Sequence, residues 1–149
     1  MSDLRELYQE LVLDHGKSPR NFRVLENPDA ESVGYNPLCG DKLVLFLRFE
    51  DDRVADISFQ GIGCAISTAS ASLLTETLRG KTRAEAAELI EEFVAMLTND
   101  DSEPDLEKLG KLAVFDGVKD FPVRVKCATL PWRTLESALS GNENDATTE

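Results

Sequence analysis

Residues 42–67, KLVLFLRFEDDRVADISFQGIGCAIS, decide the fold of this 149-residue chain. Two β-rich runs, 42–50 and 54–61, are joined by only three residues, a spacing typical of an antiparallel hairpin. We expect the two glycines around the bend that follows, Gly61 and Gly63, to let the backbone take unusual angles. The small residues after them predict a helix that packs closely against the sheet.

Helical periodicity predicts further helices on both sides of this stretch. An amphipathic helix opens the chain and ends at Gly16, where His15 is expected to act as a cation at the helix C-terminus rather than as a metal ligand. A capping-box pattern that begins at Thr82 predicts another helix. The last helix is expected to begin near Pro122 and to be disturbed at Pro131, because proline lacks the amide donor.

The remaining segments set the expected boundaries of the domain. A short strand is expected in 32–35. Residues 98–120 are acidic and rich in turn formers, and they are interpreted as an insertion on the surface. We expect one domain over 1–140 and a disordered polar tail over 141–149.

Composition excludes several classes of partner. The chain has 28 acidic and 16 basic side chains and a net charge of −12, so it repels nucleic acids and anionic membrane surfaces. With 42% hydrophobic residues it can build a core without needing a metal merely to fold. The N-terminus has no apolar region of a signal peptide and no apolar run reaches the length of a membrane span, which predicts a cytoplasmic protein.

Three cysteines are the candidate functional residues: Cys39, Cys64 and Cys127. An odd number of widely spaced cysteines without an export signal disfavours a disulfide framework. Metal ligation, catalysis or plain burial remain open for each of them. All three stand in loops or at the ends of predicted elements, and this shared placement favours a common site.

Charged residues beside the cysteines extend the candidate site. Asp41 follows Cys39 across the flexible Gly40, and a carboxylate would complete a tetrahedral shell with three thiolates, a donor set suited to zinc or iron-sulfur chemistry. The alternative is that Asp41 caps its own turn. Arg124 and Lys126 could offset the negative charge of such a site, or they could be ordinary solvated side chains.

Three motifs together are highly specific: NPLCGD at 36–41, GIGCAIS at 61–67 and RVKCA at 124–128. In this order and spacing they resemble the SufU family of the IscU/NifU N-terminal superfamily, over nearly all of residues 4–139. The resemblance implies an α+β fold with a small three-stranded antiparallel sheet packed against several helices.

The resemblance also implies a function. SufU-like members are zinc-dependent sulfurtransferases that accept persulfide sulfur from a SufS-type cysteine desulfurase and pass it toward the SufBCD machinery. Cys39 would be the sulfur acceptor, and Zn²⁺ would be held by Cys39, Asp41, Cys64 and Cys127.

Two other functions remain open at this stage. IscU-type scaffolds, which build [2Fe-2S] clusters on the same cysteines, carry a histidine where this chain has Lys126. A scaffold is therefore the alternative to a transferase, and a purely structural zinc site is a third.

Overall fold

The computed structural model describes residues 2–99, 101, 103–141 and 146–147. Its elements are α1 (Ser2–Lys17), β1 (Ala30–Asn36), β2 (Asp41–Glu50), β3 (Arg53–Ile62), α2 (Ala65–Leu78), α3 (Arg83–Thr98), α4 (Leu106–Leu109), a 3-10 helix (Gly110–Asp120), α5 (Pro122–Ser140) and β4 (Ala146–Thr147). Within the described ranges, no helix is long and apolar enough to cross a membrane.

The sheet confirms the expected three-stranded antiparallel arrangement. Its order is β3-β2-β1-β4, and β2 pairs in antiparallel fashion with both β1 and β3. The register sets Asn36 opposite Asp41 and Lys42 opposite Ile62. The end of β1, the start of β2 and the end of β3 therefore meet at one end of the sheet, and two of the three cysteine motifs lie there.

The tail differs from the expectation of disorder where it is described. Ala146–Thr147 form the short strand β4, which pairs in parallel with Gly34 and Tyr35 of β1. Residues 142–145 and 148–149 lie outside the described residues, so the prediction stays a prediction for them. The added strand covers an edge of β1 that would otherwise present unpaired backbone groups.

The acidic stretch 98–120 is not only a surface insertion, and that expectation was wrong. Its 3-10 helix buries four large apolar side chains in the core: Leu112, Val114, Phe115 and Val118. The Phe115 ring meets Tyr8 and Phe93 edge to face, with centroids 5.8 and 5.7 Å apart. The acidic and turn-forming residues dominate the composition of this stretch, and a 3-10 helix lacks the 3.6-residue period that reveals an amphipathic α-helix.

Helix α5 joins the sheet to the helical layer. It runs as one helix through Pro131, so the expected disturbance is a missing N–H donor rather than a break. The Trp132 ring is fully buried and stacks on Phe93 with centroids 4.6 Å apart. Ser70 of α2 accepts a hydrogen bond from Trp132 Nε1 at 3.1 Å and donates one to the Ala128 carbonyl at 2.6 Å. These contacts fix α5, which carries Cys127, against α2, which follows Cys64.

His15 is not the exposed helix-end cation that the sequence predicted. Its side chain is 2% exposed, and its Nδ1 lies 2.6 Å from Ser72 Oγ. Ser72 Oγ also accepts the Arg20 backbone N–H at 2.8 Å, and Glu76 Oε1 lies 3.7 Å from His15 Nε2. Burial lowers the pKa of His15 below its usual value, which keeps the ring neutral.

This burial predicts how folding stability depends on pH. Because the pKa of His15 is lower in the folded state than the value of about 6.5 expected when unfolded, the unfolded chain binds more protons between the two values. The contribution of His15 is therefore fully present above about pH 6.5 and is lost as the pH falls through the folded pKa. Urea unfolding between pH 5 and 8 should show a steeper loss for the wild-type protein than for His15→Gln. Parallel curves for the two proteins would contradict this account.

Candidate metal centre

The three cysteines reach one site from three different elements. Cys39 lies on the turn between β1 and β2, Cys64 is the N-cap of α2, and Cys127 lies in the first half of α5. Cys39 is exposed, Cys64 is half-buried and Cys127 is buried. The site therefore has one accessible sulfur in front of two less accessible ones.

The structure groups three of the four predicted ligand residues closely enough to hold one metal ion. The Sγ atoms of Cys39 and Cys127 are 3.3 Å apart, and one ligand atom from each of Cys39, Asp41 and Cys127 lies within 4.8 Å of the others. Cys64 is not part of this group of three, but its Sγ lies 3.7 Å from Asp41 Oδ2.

Asp41 has a second task besides facing the sulfurs. Its carboxylate is fully buried, and Oδ1 accepts a hydrogen bond from the Cys64 backbone N–H at 2.8 Å. One carboxylate oxygen thus fixes the turn that carries Cys64, and the other remains directed at the sulfur of that cysteine. The sequence offered capping of its own turn as the alternative to ligation, but the structure shows Asp41 holding a different turn, 23 residues away.

Two glycines shape the site in different ways. Gly40 has φ +73°, a backbone conformation that L side chains rarely adopt, so the turn between Cys39 and Asp41 favours glycine. Gly61 and Gly63 do not have positive φ, and the expected unusual angles are wrong for both. At Gly63 a Cβ would lie 2.8 Å from Asp41 Oδ1, so glycine is needed there for the close approach of the carboxylate.

The two inner thiols are unequal in acidity. The Cys127 thiol donates to Cys39 Sγ at 3.3 Å, and the Ser67 backbone N–H lies 3.4 Å from Cys64 Sγ at the start of α2. The neighbouring Cys127 thiol and the Ser67 N–H lower the pKa of Cys64 to about 7, whereas the neighbouring Cys64 and burial raise the pKa of Cys127. Cys64 is therefore the stronger acid of the two.

The two predicted cations stand at the start of α5. Lys126 is half-buried and directly precedes Cys127. Arg124 is exposed, and its guanidinium lies 4.6 Å from the centroid of the Phe121 ring. The described contact of Arg124 thus places it over an aromatic ring of the residue just before α5.

Sequence reasoning missed two residues at the site. Burial raises the pKa of Tyr8, the charge of Arg124 acts against this shift, and the charges of Cys64 and Cys127 add to it. Asn36 is fully buried, with Nδ2 4.0 Å from Cys127 Sγ. Tyr8 lies in the amphipathic helix that opens the chain, where an aromatic residue suits the apolar face and gives no sign of a functional role. A polar Asn at the buried end of a strand was the available signal for the second residue.

The donor set fits a thiophilic divalent metal. Three cysteine sulfurs and one carboxylate are the ligand types that zinc binds in tetrahedral sites. At Zn–S distances of about 2.3 Å, two sulfurs in such a shell lie about 3.8 Å apart. The 3.3 Å separation of Cys39 and Cys127 is near that spacing. The fold and the donor set together define a small α+β protein with a thiolate-rich site at one end of its sheet.

Comparison with known proteins identifies the family. The model of the NifU-like N-terminal domain matches residues 7–128. The chain is 37% identical over 142 residues to the zinc-dependent sulfurtransferase SufU of Bacillus subtilis, covering 95% of both proteins. It is 38% identical over 144 residues to the iron-sulfur cluster assembly scaffold protein IscU of Streptococcus pyogenes, covering 97% of this chain and 89% of the relative.

A solved structure shows the same fold. The crystal structure of a protein named as an iron-sulfur cluster assembly scaffold for the SUF system, from Fervidobacterium islandicum AW-1, superposes with a TM-score of 0.84 at 38% identity, over 91% of this chain and 98% of that one. The chain therefore belongs to the NifU-like N-terminal domain family, whose members act in iron-sulfur cluster assembly. The names of these relatives divide between scaffolds and a sulfurtransferase.

The contact at Gly63 predicts a loss of metal affinity on substitution. In Gly63→Ala the new methyl group must displace the Asp41 carboxylate, which both anchors Cys64 and faces the sulfurs. Zinc affinity, measured by competition with a chromophoric chelator, should fall by about 10–100-fold, as when the support of a ligand is removed.

Gly117→Ala is the matched control for this substitution. A Cβ at Gly117 meets nothing within 4 Å, and the φ of this residue is not positive. The control should bind zinc like the wild-type protein. Equal affinities for Gly63→Ala and Gly117→Ala would contradict the role assigned to the close approach at Gly63.

Proposed function

We propose that this protein is a zinc-dependent sulfurtransferase that accepts persulfide sulfur from a SufS-type cysteine desulfurase. The observation that carries the proposal is the unequal exposure of the cysteines. Cys39 is exposed on a glycine turn, and its sulfur lies 3.3 Å from the buried Cys127. A sulfur acceptor must be reached by the cysteine of another protein, and Cys39 is the most accessible of the three.

Cys39, Asp41, Cys64 and Cys127 would hold the zinc ion. Bound zinc would keep the cysteine sulfurs deprotonated near neutral pH, where a free thiol with a pKa of about 8.5 is only slightly ionised. The hydrogen bond from the Cys64 backbone N–H to Asp41 supports this ligand set, because it keeps the β2 and α2 portions of the site together.

The transfer itself requires only the exchange of one sulfur atom. The Cys39 thiolate attacks the terminal sulfur of the persulfide on the desulfurase, and a new S–S bond forms at Cys39. The S–S bond of the partner breaks, and its cysteine leaves as a thiolate. The proton of the persulfide moves with the transferred sulfur, so atoms and electrons balance without an added oxidant or reductant.

The basic residues of α5 support this chemistry by their charge. Three cysteine thiolates and a carboxylate outweigh the charge of one divalent ion, and the protein as a whole carries a net charge of −12. Lys126 directly precedes Cys127, and an ammonium group offers three donors and no lone pair, so it can balance the site but cannot ligate. Arg124, on the exposed first turn of α5, presents a second cation that can stabilise the thiolate released from the partner's persulfide.

A scaffold that assembles a [2Fe-2S] cluster is the second candidate. The name of the Streptococcus pyogenes relative favours it, and so does the arrangement of the cysteines, with Cys39 3.3 Å from Cys127 and Cys64 3.7 Å from Asp41. Lys126 opposes it, since a protonated amine at this position has no lone pair for iron. A purely structural zinc is disfavoured because the chain has an extensive apolar core of its own, with Trp132, Phe93 and Leu45 fully buried.

The remaining parts of the proposal concern the setting of the reaction. Within the proposed function, the SufBCD machinery would receive the sulfur downstream. The acidic charge of the protein disfavours nucleic acids and membranes as partners. A cytoplasmic location also stays a prediction from the sequence.

Trapping the transferred sulfur tests the proposal. Zinc-loaded protein is incubated anaerobically with a SufS-type desulfurase and cysteine, and its intact mass and the modified peptide are then measured. The wild-type protein should gain sulfur on Cys39, whereas Cys39→Ala should gain none because the nucleophile is absent.

Leu38→Ala is the matched control, since Leu38 is exposed on the same turn and bears no reactive group. It should still accept sulfur on Cys39. Full sulfur acceptance by Cys39→Ala, or a persulfide found only on Cys64 or Cys127, would contradict the role of Cys39.

A further inference from the structure

We propose that Asn36 is a positioning residue of the metal site, which holds the Cys39 turn against Cys127 by hydrogen bonding to both. This inference rests on the proposed function in one respect, namely that the cysteine sulfurs hold a metal. Asn36 would join the proposed site as a neutral residue that does not itself bind the metal. Asn36 is fully buried at the end of β1, directly before the turn that bears Cys39.

The orientation of the Asn36 amide follows from its hydrogen bonds. Its Oδ1 accepts the Leu38 backbone N–H at 3.2 Å, which closes the turn that leads to Cys39. The oxygen therefore faces the turn, and the NH₂ group must face the opposite way. There Nδ2 lies 4.0 Å from Cys127 Sγ, a long contact that the large radius of sulfur permits.

Burial makes this arrangement specific. A buried amide without hydrogen-bond partners is unfavourable. Position 36 therefore favours a side chain that offers both an acceptor and a donor, as an amide does. Among the described residues, the buried side-chain atoms without a hydrogen-bond partner are Ser58 Oγ and Asp116 Oδ1, and Asn36 is not one of them. The Cys127 sulfur and the Leu38 N–H thus satisfy the two ends of one side chain.

The hydrogen bond to Cys127 would act on the bound metal through the sulfur. An N–H that points at a thiolate withdraws electron density from it, and hydrogen bonds of this kind tune metal sites. In a site with four anionic ligand residues, such a donor relieves negative charge without adding a positive one. The same side chain also sets the distance between the exposed Cys39 turn and the buried Cys127.

Asn99 provides a matched comparison within the same chain. Its Oδ1 accepts the backbone N–H of Asp101, two residues ahead, at 3.0 Å, just as Asn36 does with Leu38. Asn99 is exposed and lies at the C-cap of α3, in a different part of the fold. Changing either Asn to Asp keeps the acceptor of the turn, but only the change at residue 36 removes a donor to a cysteine sulfur.

The first test uses Co²⁺ as a spectroscopic probe in place of zinc. Wild-type, Asn36→Asp, Asn36→Leu and Asn99→Asp proteins are titrated with Co²⁺ anaerobically, and the sulfur-to-cobalt charge-transfer band is recorded. Without the Asn36 donor the Cys127 sulfur is more electron-rich, so the band should move to lower energy in both Asn36 variants. Affinity for Zn²⁺ should fall by about 10–100-fold in them and stay unchanged in Asn99→Asp.

A second measurement needs no variant and therefore no assumption about folding. In ¹⁵N-labelled wild-type protein loaded with ¹¹³Cd²⁺, the Asn36 side-chain protons should shift relative to the metal-free protein and show a scalar coupling to cadmium through the N–H···S bond. The Asn99 side-chain amide should show neither effect.

The outcomes separate this inference from the proposed function. An unmoved charge-transfer band in both Asn36 variants, or Asn36 amide protons that do not respond to the metal, would overturn the inference while leaving sulfur transfer to Cys39 intact. A shifted band in the Asn36 variants, together with no sulfur acceptance by the wild-type protein, would support the role of Asn36 and overturn the transferase.

Discussion

The hydrogen bond from the Cys64 backbone N–H to Asp41 is the contact on which the site depends. It joins the start of β2 to the start of α2, two points 23 residues apart in the chain, at 2.8 Å. Because the Asp41 carboxylate is fully buried, an unmade bond would leave a desolvated charge, which is strongly unfavourable. The same carboxylate faces the cysteine sulfurs, so the interaction that fixes the fold locally also fixes the ligand geometry.

The sequence predicted the fold well where periodicity was strong. The hairpin, the short strand before it and the helix that follows Cys64 are confirmed, and so is the three-stranded antiparallel sheet. The tight grouping of Cys39 and Asp41 follows from their spacing across a glycine turn. Residues that belong to one short motif are easily placed together, because the chain itself limits their separation.

Contacts between distant segments were harder to predict. The buried face of the 3-10 helix was hidden by its acidic composition, and His15 was expected to be charged although its ring hydrogen bonds to Ser72, 57 residues away. Gly63 has no unusual backbone angle, and its small size matters only because Asp41 lies beneath it. The contact of Asn36 with Cys127 spans 91 residues, so a polar residue at the end of a strand did not indicate which partner it meets. In each case tertiary packing, rather than local preference, decides the role of the residue.

The central claim is that a zinc-loaded site accepts sulfur, and the most direct test is the cysteine turnover of a SufS-type desulfurase under anaerobic conditions. Equal amounts of zinc-loaded, metal-stripped and iron-supplied protein are added in parallel, because metal content alone does not separate a functional ion from an adventitious one. The account predicts that only the zinc-loaded form strongly accelerates turnover. Unchanged or suppressed turnover with zinc, together with a cluster that accumulates in the iron-supplied form, would contradict the transferase and identify the protein as a scaffold.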